Sequence, residues 1–124
     1  MAGTITITTN ATIPDFDGVD VTVPSSSFTV KTDDVVEFTR NIDASPAIIY
    51  DIAYQIAVVV NIGTIDAIVE VLAADRYAAF VVPPGAHAVL PSVVLSSTGV
   101  PTAVTNLAAY TAAGDGRIFV FIAK

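Results

Sequence analysis

The sequence predicts an all-β fold, a β-sandwich or jelly roll of about eight strands. Three observations support this prediction. Short runs rich in β-branched residues alternate between apolar and polar positions along most of the chain. The prolines and glycines fall mostly between those runs, where the chain must turn. Helical spacing is confined to one segment, residues 102–113.

The first part of the chain supplies several short strands. Residues 4–9 read TITITT, in which Ile5 and Ile7 alternate with threonines, and further strands are predicted at 19–23, 27–30 and 35–40. An alternating Thr/Ile segment near a chain end can add a strand to a neighbour's sheet edge. We therefore interpret residues 1–124 as a single β-sandwich domain in which residues 1–9 are a candidate extended N-terminal arm.

The clearest strand signal is IIYDIAYQIAVVVNI at residues 48–62, where large apolar residues recur at every second position. This spacing predicts one long strand with one buried face, and its length predicts a bulge or bend near residues 57–61. The turn residues NIGT follow, and Ala67, Val69 and Val71 then share one face of the next strand. The pair is expected to form a hairpin or to cross from one sheet to the other.

The second half of the chain predicts strands at 77–82, 87–91 and 117–123. Two prolines and Gly85 supply the turn between the first two of these strands, because glycine tolerates the positive φ of a tight turn. Both faces of residues 118–122 are apolar, which predicts that the last strand lies in the middle of a sheet. Residues 102–113 fit a short helix ending near Gly114 about as well as they fit a strand.

The composition contains more apolar material than one small core needs, which fits a membrane segment, an aggregation-prone chain or a protomer that buries extra surface against partners. Apolar residues make up 53% of the sequence and charged residues 14%, against about 45–50% and about 25% in typical soluble domains. The uncharged stretch in the most apolar region, residues 52–65, is shorter than the roughly 18–20 residues of a membrane-spanning helix, and no secretory signal is visible. We therefore expect synthesis in the host cytoplasm, no membrane partner, and contacts between copies of the chain.

The charge distribution points to the location of those contacts. The net charge is −7, and the five basic residues are spread along the chain, which opposes a nucleic-acid partner. Eight of the twelve acidic residues lie at or before Asp51, so the remainder of the chain is where an interface is expected. The candidate interface residues are Ile5, Ile7, Tyr77, Phe80 and His87.

The residues that could support catalysis are few. His87 is the only histidine, there is no cysteine, and no G-x-S-x-G elbow is present. An enzyme would have to use His87 with the scattered carboxylates Asp33, Asp34 and Glu37. We interpret His87 as a structural or interface residue, and we expect the chain to have no enzymatic activity and no cofactor.

Two ligand classes have some support in the sequence. Asp15, Asp17 and Asp20 cluster as carboxylates around a hard cation do, but the EF-hand spacing fails, and a solvated acidic turn accounts for them without a metal. The four tyrosines, Tyr50, Tyr54, Tyr77 and Tyr110, can stack on sugars, although the alternation predicts burial of Tyr50 and Tyr54. A carbohydrate- or peptide-binding module is therefore the alternative function.

Two turn-and-strand patterns carry a resemblance to known proteins. An N-x-G-T turn precedes an A-x-V-x-V strand, and an apolar strand then enters a P-G-A-x-A turn. The matching residues are Asn61, Gly63, Thr64, Ala67, Val69 and Val71, followed by Pro84, Gly85, Ala86 and Ala88. The combination, which covers about a third of the chain, resembles β-sandwich modules of bacterial surface proteins and phage virion proteins.

Within that group, a small, acidic, cysteine-free all-β chain with a Thr/Ile-rich end is similar to phage capsid decoration, or cement, proteins. The resemblance implies a virion protein that assembles as a homotrimer and contacts the major capsid protein or another virion subunit. A tail or pilus-like structural subunit is a further alternative, distinguished by open polymers rather than closed rings.

Overall fold

Every regular element in the described part of the chain is a β-strand, which confirms the all-β prediction. The computed structural model describes residues 3–16, 19–32, 34–74 and 76–124, and the chain divides into two compact units, Met1–Asp33 and Asp34–Lys124. The strands are β1 Gly3–Phe16, β2 Val19–Thr32, β3 Val35–Ile42, β4 Ala47–Tyr50, β5 Ile56–Asn61, β6 Ala67–Ala73, β7 Arg76–Val82, β8 His87–Leu90, β9 Val93–Leu95, β10 Pro101–Ala103, β11 Asn106–Tyr110 and β12 Gly116–Ala123.

The first unit contains an antiparallel pair, β1 and β2. Its register places Ile5 opposite Val30 and Ile7 opposite Phe28, and the threonines between them pair with polar residues of β2. The two strands predicted at 19–23 and 27–30 are one continuous strand, interrupted by a register shift next to Pro24, a residue that cannot donate to the ladder. The arm interpretation of residues 1–9 stays a prediction, as does a single domain over 1–124.

The second unit is a β-sandwich of two four-stranded antiparallel sheets. Sheet I has the order β3-β12-β5-β8 and sheet II the order β4-β11-β6-β7. Consecutive strands of this unit mostly alternate between the two sheets, and β9 and β10 form a small hairpin inserted between β8 and β11. This is the strand order of an eight-stranded jelly roll with one inserted hairpin.

The inner faces of the two sheets form one hydrophobic core. Residues from both sheets, such as Val59 of β5, Val69 of β6 and Leu107 of β11, are completely buried in a single cluster. Strand β12 lies between β3 and β5, as its two apolar faces predict, and Ile118, Val120 and Ile122 point into the core. Burial on this scale supplies the main favourable term in folding.

The prediction of one long strand over residues 48–62 is wrong. The segment forms β4 in sheet II and β5 in sheet I, and the chain crosses between the sheets through residues 51–55 rather than bending at 57–61. The predicted buried face is confirmed at Tyr54 and Ile56. It is wrong elsewhere, because Ile48, Ile52 and Ile62 are exposed while Ala57 and Val59 of the opposite set are buried. Regular alternation continues through the crossing, so the sequence period conceals the place where the inward-facing set changes.

The helix considered for residues 102–113 is wrong as well. Residues 101–103 belong to β10, and residues 106–110 form β11 between β4 and β6. Pairing on both sides satisfies the backbone of β11, and its small alanines fit between neighbouring strands. Tertiary pairing therefore overrides the helical spacing of the segment.

The N-x-G-T turn after β5 is organised by a buried asparagine. The Asn61 side chain is 1% exposed. Its Nδ2 donates to the carbonyl oxygens of Ile65 at 2.7 Å and Val82 at 2.8 Å, and its Oδ1 accepts from the backbone N–H of Gly63 at 2.9 Å. Asn61 thus joins the β5–β6 crossing to the end of β7, with its side-chain donors and acceptor all engaged.

The same residue also holds the P-G-A turn between β7 and β8. Its backbone N–H donates to the carbonyl of Ala86 at 3.0 Å, and its carbonyl accepts from the N–H of Gly85 at 2.9 Å. Gly85 has φ +78°, the positive φ predicted for this turn. The two sequence patterns are therefore parts of one hydrogen-bonded unit, which fixes the turn that joins β7 of sheet II to β8 of sheet I.

Candidate interaction surface

One side of the sandwich is formed by two edge strands that follow one another in the chain. Strand β7 is the end strand of sheet II, β8 is the end strand of sheet I, and the two contact each other. The β9–β10 hairpin borders the same side, with Val94 packed against the core. An open groove of about 350 Å³ separates β7 from the hairpin, lined by Tyr77, Ala78, Val94 and Leu95.

Large apolar side chains are exposed on β7 and β9, the strands on either side of this groove. The exposed fractions are 65% for Tyr77, 61% for Val81, 57% for Leu95, 50% for Val93 and 38% for Phe80. We call these five residues the apolar edge surface. Along β7, Tyr77 and Val81 point to the outer face of sheet II, whereas Phe80 points to the other face, as the buried Val82 does. Single exposed apolar residues are common on soluble proteins, but several on neighbouring strands at the edge of a sandwich are typical of an interaction site.

The outer face of sheet II continues this surface towards β11. Register places Tyr77 beside Leu72 and Val81 beside Ile68, both half-buried. Among the described residues, Glu70 on β6 is the charged residue at the middle of this face. Its carboxylate accepts a hydrogen bond of 3.1 Å from the hydroxyl of Tyr110.

The phenol of Tyr110 responds to this arrangement. The hydrogen bond to Glu70 raises the pKa of Tyr110, and desolvation, the negative charge of Glu70 and the electrostatic influence of Tyr77 act in the same direction. Tyr110 therefore keeps its proton at neutral pH and serves as the donor that partners this carboxylate.

Few formally charged residues lie near the apolar edge surface. Between Arg76 and Asp115 the sequence contains no Asp, Glu, Lys or Arg, and this range includes β8, β9, β10 and β11 together with most of β7. Charges collect instead around β3 at the other edge of sheet I, where Lys124 pairs with Asp34 at 3.5 Å and Glu37 and Arg40 are exposed. The strands on the β7–β8 side of the sandwich therefore carry little formal charge: Arg76 begins β7, and Glu70 lies on the neighbouring β6.

The structure brings three of the five predicted interface residues to the same side of the sandwich. Tyr77 and Phe80 belong to the apolar edge surface, and His87 is exposed on the adjacent β8, opposite Val60 of β5. The side chains of Ile5 and Ile7 lie outside the described residues. Sequence reasoning missed Val81, Val93 and Leu95, although all three lie in the long uncharged range that could have indicated them.

The candidate catalytic groups do not converge in the described part of the molecule. Glu37 is on β3 and His87 is on β8, at opposite edges of sheet I, which separates their strands by about 14 Å at the usual spacing. Asp34 accepts the backbone N–H of Val35 and pairs with Lys124. Asp33 lies outside the described residues.

A second concavity, of about 420 Å³, is lined by Asn41, Ile42, Asp43, Asp115 and Gly116. Its two carboxylates fall short of a metal site, and over the described residues no group of three or more His, Asp or Glu side chains is placed to hold an ion. The side chains of the predicted metal candidates Asp15, Asp17 and Asp20 lie outside that description.

In the described ranges, no helix has the length and apolar character needed to cross a membrane. Comparisons with known protein families, with curated proteins and with solved structures gave no match. Function is therefore inferred from the residues and geometry of this chain.

Proposed function

We propose that this chain is a non-enzymatic structural protein of a phage particle, a capsid decoration protein that assembles as a homotrimer and binds the major capsid protein. The observation that carries the proposal is the apolar edge surface of the jelly roll. Jelly rolls recur in capsid proteins, and that likeness is an analogy of fold. The physical support is the exposed apolar area, whose burial against partners is favourable.

The proposed mechanism is addition of buried area. An interface of about 1,600 Å² excludes water between two subunits and holds them together without covalent bonds. Each trimer that spans neighbouring capsid subunits then adds contacts that internal pressure must break before those subunits separate. The chain has no cysteine, so disulfides contribute nothing to this strength.

The N-terminal hairpin is the element proposed to contact the capsid. A two-stranded hairpin is marginally stable by itself in water. Among the described strands, β1 and β2 pair with each other alone, so either can extend a neighbour's sheet through its second edge. The sandwich is built from strands of residues 35–123, so its sheets do not depend on residues 1–9.

The test uses particles of the phage whose genome encodes the chain. Stripped heads are incubated with the full-length protein or with a variant lacking residues 1–9, and the bound fraction is measured by sedimentation. We expect saturable binding of the full-length protein at a fixed ratio to the capsid protein. We expect no binding by the shortened variant, whose far-UV circular dichroism remains that of a folded β protein.

Different results would contradict the arm and the particle function. Normal binding by the shortened variant contradicts the arm, and absence of the full-length protein from purified virions contradicts the particle function. If the protein is found in tails, or forms open polymers in solution, the tail or pilus-like alternative replaces capsid decoration.

A carbohydrate- or peptide-binding module is the second candidate, and one observation favours it. Tyr77 and Tyr110 flank Glu70 on the exposed face of sheet II. The aromatic rings can stack on a sugar while the carboxylate accepts hydrogen bonds from its hydroxyl groups. Saturable sugar binding by a monomer, lost in Tyr77→Ala, would support this candidate over the first.

A further inference from the structure

We infer that the apolar edge surface is the site at which one copy of this chain binds a second copy. The inference rests on the self-assembly in the proposed function and adds the location of the contact. Its elements are the exposed residues of β7, the outward residues of β9, and the groove of about 350 Å³ between them. The groove has room for apolar side chains of the partner.

The exposed area fits a second copy of the chain. An aromatic residue can bury about 150–250 Å², so the exposed fractions of the five residues correspond to roughly 500 Å² of mostly apolar surface. One side of a standard interface is about 800 Å², and interfaces between identical subunits are about 65% apolar. The apolar edge surface therefore supplies about the apolar area that one side of a stable self-interface requires.

The charge distribution selects a copy of this chain over a charged partner. Each copy carries a net charge of −7, so two copies repel unless their acidic residues face away from the contact. An approach through β7 and β9 brings together the uncharged range 77–114 and leaves Asp34 and Glu37 at the opposite edge of the sandwich. The five residues of the apolar edge surface offer no carboxylate with which a basic partner could pair.

The composition of the surface agrees with that of interface centres. Tyrosine and phenylalanine are enriched at the centres of interfaces and charged residues are depleted there. Tyr77 has the largest exposed fraction of the five residues, and it lines the groove together with Leu95. We therefore assign Tyr77 as the central anchor, with Val81 and Leu95 packed around it.

Salt dependence follows from the same argument. Contact between two acidic copies through an uncharged surface strengthens when salt screens their repulsion. Contact with a basic partner through opposite charges would weaken. Self-dissociation constants of the full-length protein at about 0.05 M and about 0.5 M salt test this, and we expect the tighter value at high salt. A weaker value at high salt would mean that opposite charges, and not an uncharged surface, form the contact between copies.

The decisive comparison uses one substitution at two places. Val81→Asp changes an exposed valine on the edge strand β7, and Val35→Asp makes the same change at an exposed valine on the edge strand β3, where charged residues collect. Both variants gain one negative charge on an edge strand. Sedimentation velocity of the full chain across a dilution series measures self-association, and thermal unfolding confirms that each variant is folded.

We expect Val81→Asp to raise the dissociation constant at least about thirtyfold, the effect of a hot-spot residue, and Val35→Asp to leave it within about threefold. Leu95→Asp, on the other wall of the groove, should act like Val81→Asp. If wild type associates and all three variants associate equally well, the location is wrong while the proposed self-assembly stands. If wild type is monomeric at every concentration, the self-assembly in the proposed function fails, and this inference fails with it.

Discussion

Replacing Asn61 should destabilise the sandwich strongly, because this buried side chain holds two turns at once. In Asn61→Ala, the carbonyls of Ile65 and Val82 lose a donor and the N–H of Gly63 loses an acceptor. A buried polar group left without a partner costs about 1–3 kcal/mol. Two of the three bonds are only partly buried, so water recovers part of the loss, and we expect about 3–5 kcal/mol in total.

Asn61→Asp makes a sharper test because it preserves size and shape. One carboxylate oxygen still accepts from Gly63, but the other faces the carbonyls of Ile65 and Val82 in place of a donor. The folded state therefore disfavours the ionised form and should raise the pKa of the new carboxyl above its unfolded value. Stability of this variant relative to wild type should then improve as the pH falls through that raised pKa.

Urea unfolding of the full chain measures both effects, with the midpoint compared at unchanged slope. Asn41→Ala is the matched control, since Asn41 is exposed on β3, and we expect a change within about 0.5 kcal/mol. If the free energies of unfolding of Asn61→Ala and Asn61→Asp both lie within about 1 kcal/mol of the wild-type value, the hydrogen bonds of Asn61 do not hold these turns.

Two further predictions concern single side chains near the same elements. Tyr54→Phe should cost about 1 kcal/mol at neutral pH because it removes the 2.6 Å hydrogen bond to the carbonyl of Pro91. Burial raises the pKa of Tyr54 well above its usual value of about 10. The stability that the protonated Tyr54 hydroxyl contributes is therefore intact below about pH 10 and is lost as the pH rises further. In urea unfolding measured at each pH, wild type should lose stability above about pH 10 more steeply than the variant. In thermal unfolding, Gly63→Ala should destabilise the protein more than Gly85→Ala does. A Cβ at Gly63 meets the backbone N of Arg117 at 2.9 Å, whereas a Cβ at Gly85 meets open space and only the positive φ opposes alanine there. Equal losses of stability in the two variants would contradict the close approach at Gly63.

Local patterns predicted the strands well where the chain alternates within one sheet. Ala67, Val69 and Val71, which were predicted to share one face of a strand, do so and are buried, and the two apolar faces of β12 identified it as central. In both cases the pattern of apolar residues reflects which faces of the strand are buried. Residues 48–62 show where this fails, because the same period continues through the crossing between sheets and no local signal marks the change of face.

The candidate surface could be predicted only in part for a related reason. Tyr77 and Phe80 stand in an obvious strand, so their location after the charged part of the chain made them candidates. Val93 and Leu95 belong to a three-residue strand whose hairpin gives no periodic signal. Leu95 lies beside Tyr77 only because the β9–β10 hairpin packs next to β7, and this is a tertiary contact that local sequence does not show.

Asn61 shows the same limit for polar residues. A polar residue in an apolar strand suggests an outward position, yet Asn61 points inward and is buried. The residues that satisfy it, Ile65 and Val82, contribute backbone carbonyls, and backbone groups leave no trace in side-chain composition. The sequence contained the two turn patterns but not the hydrogen bonds that join them.

The central claim, that copies of this jelly roll assemble through exposed apolar surface, is tested most directly by the solution mass of the full-length protein. Light scattering across a dilution series measures it without a partner or a particle. We predict a stable closed oligomer with the mass of a trimer, maintained to micromolar concentration. A strict monomer throughout that range would contradict the claim and move the binding-module function to first place.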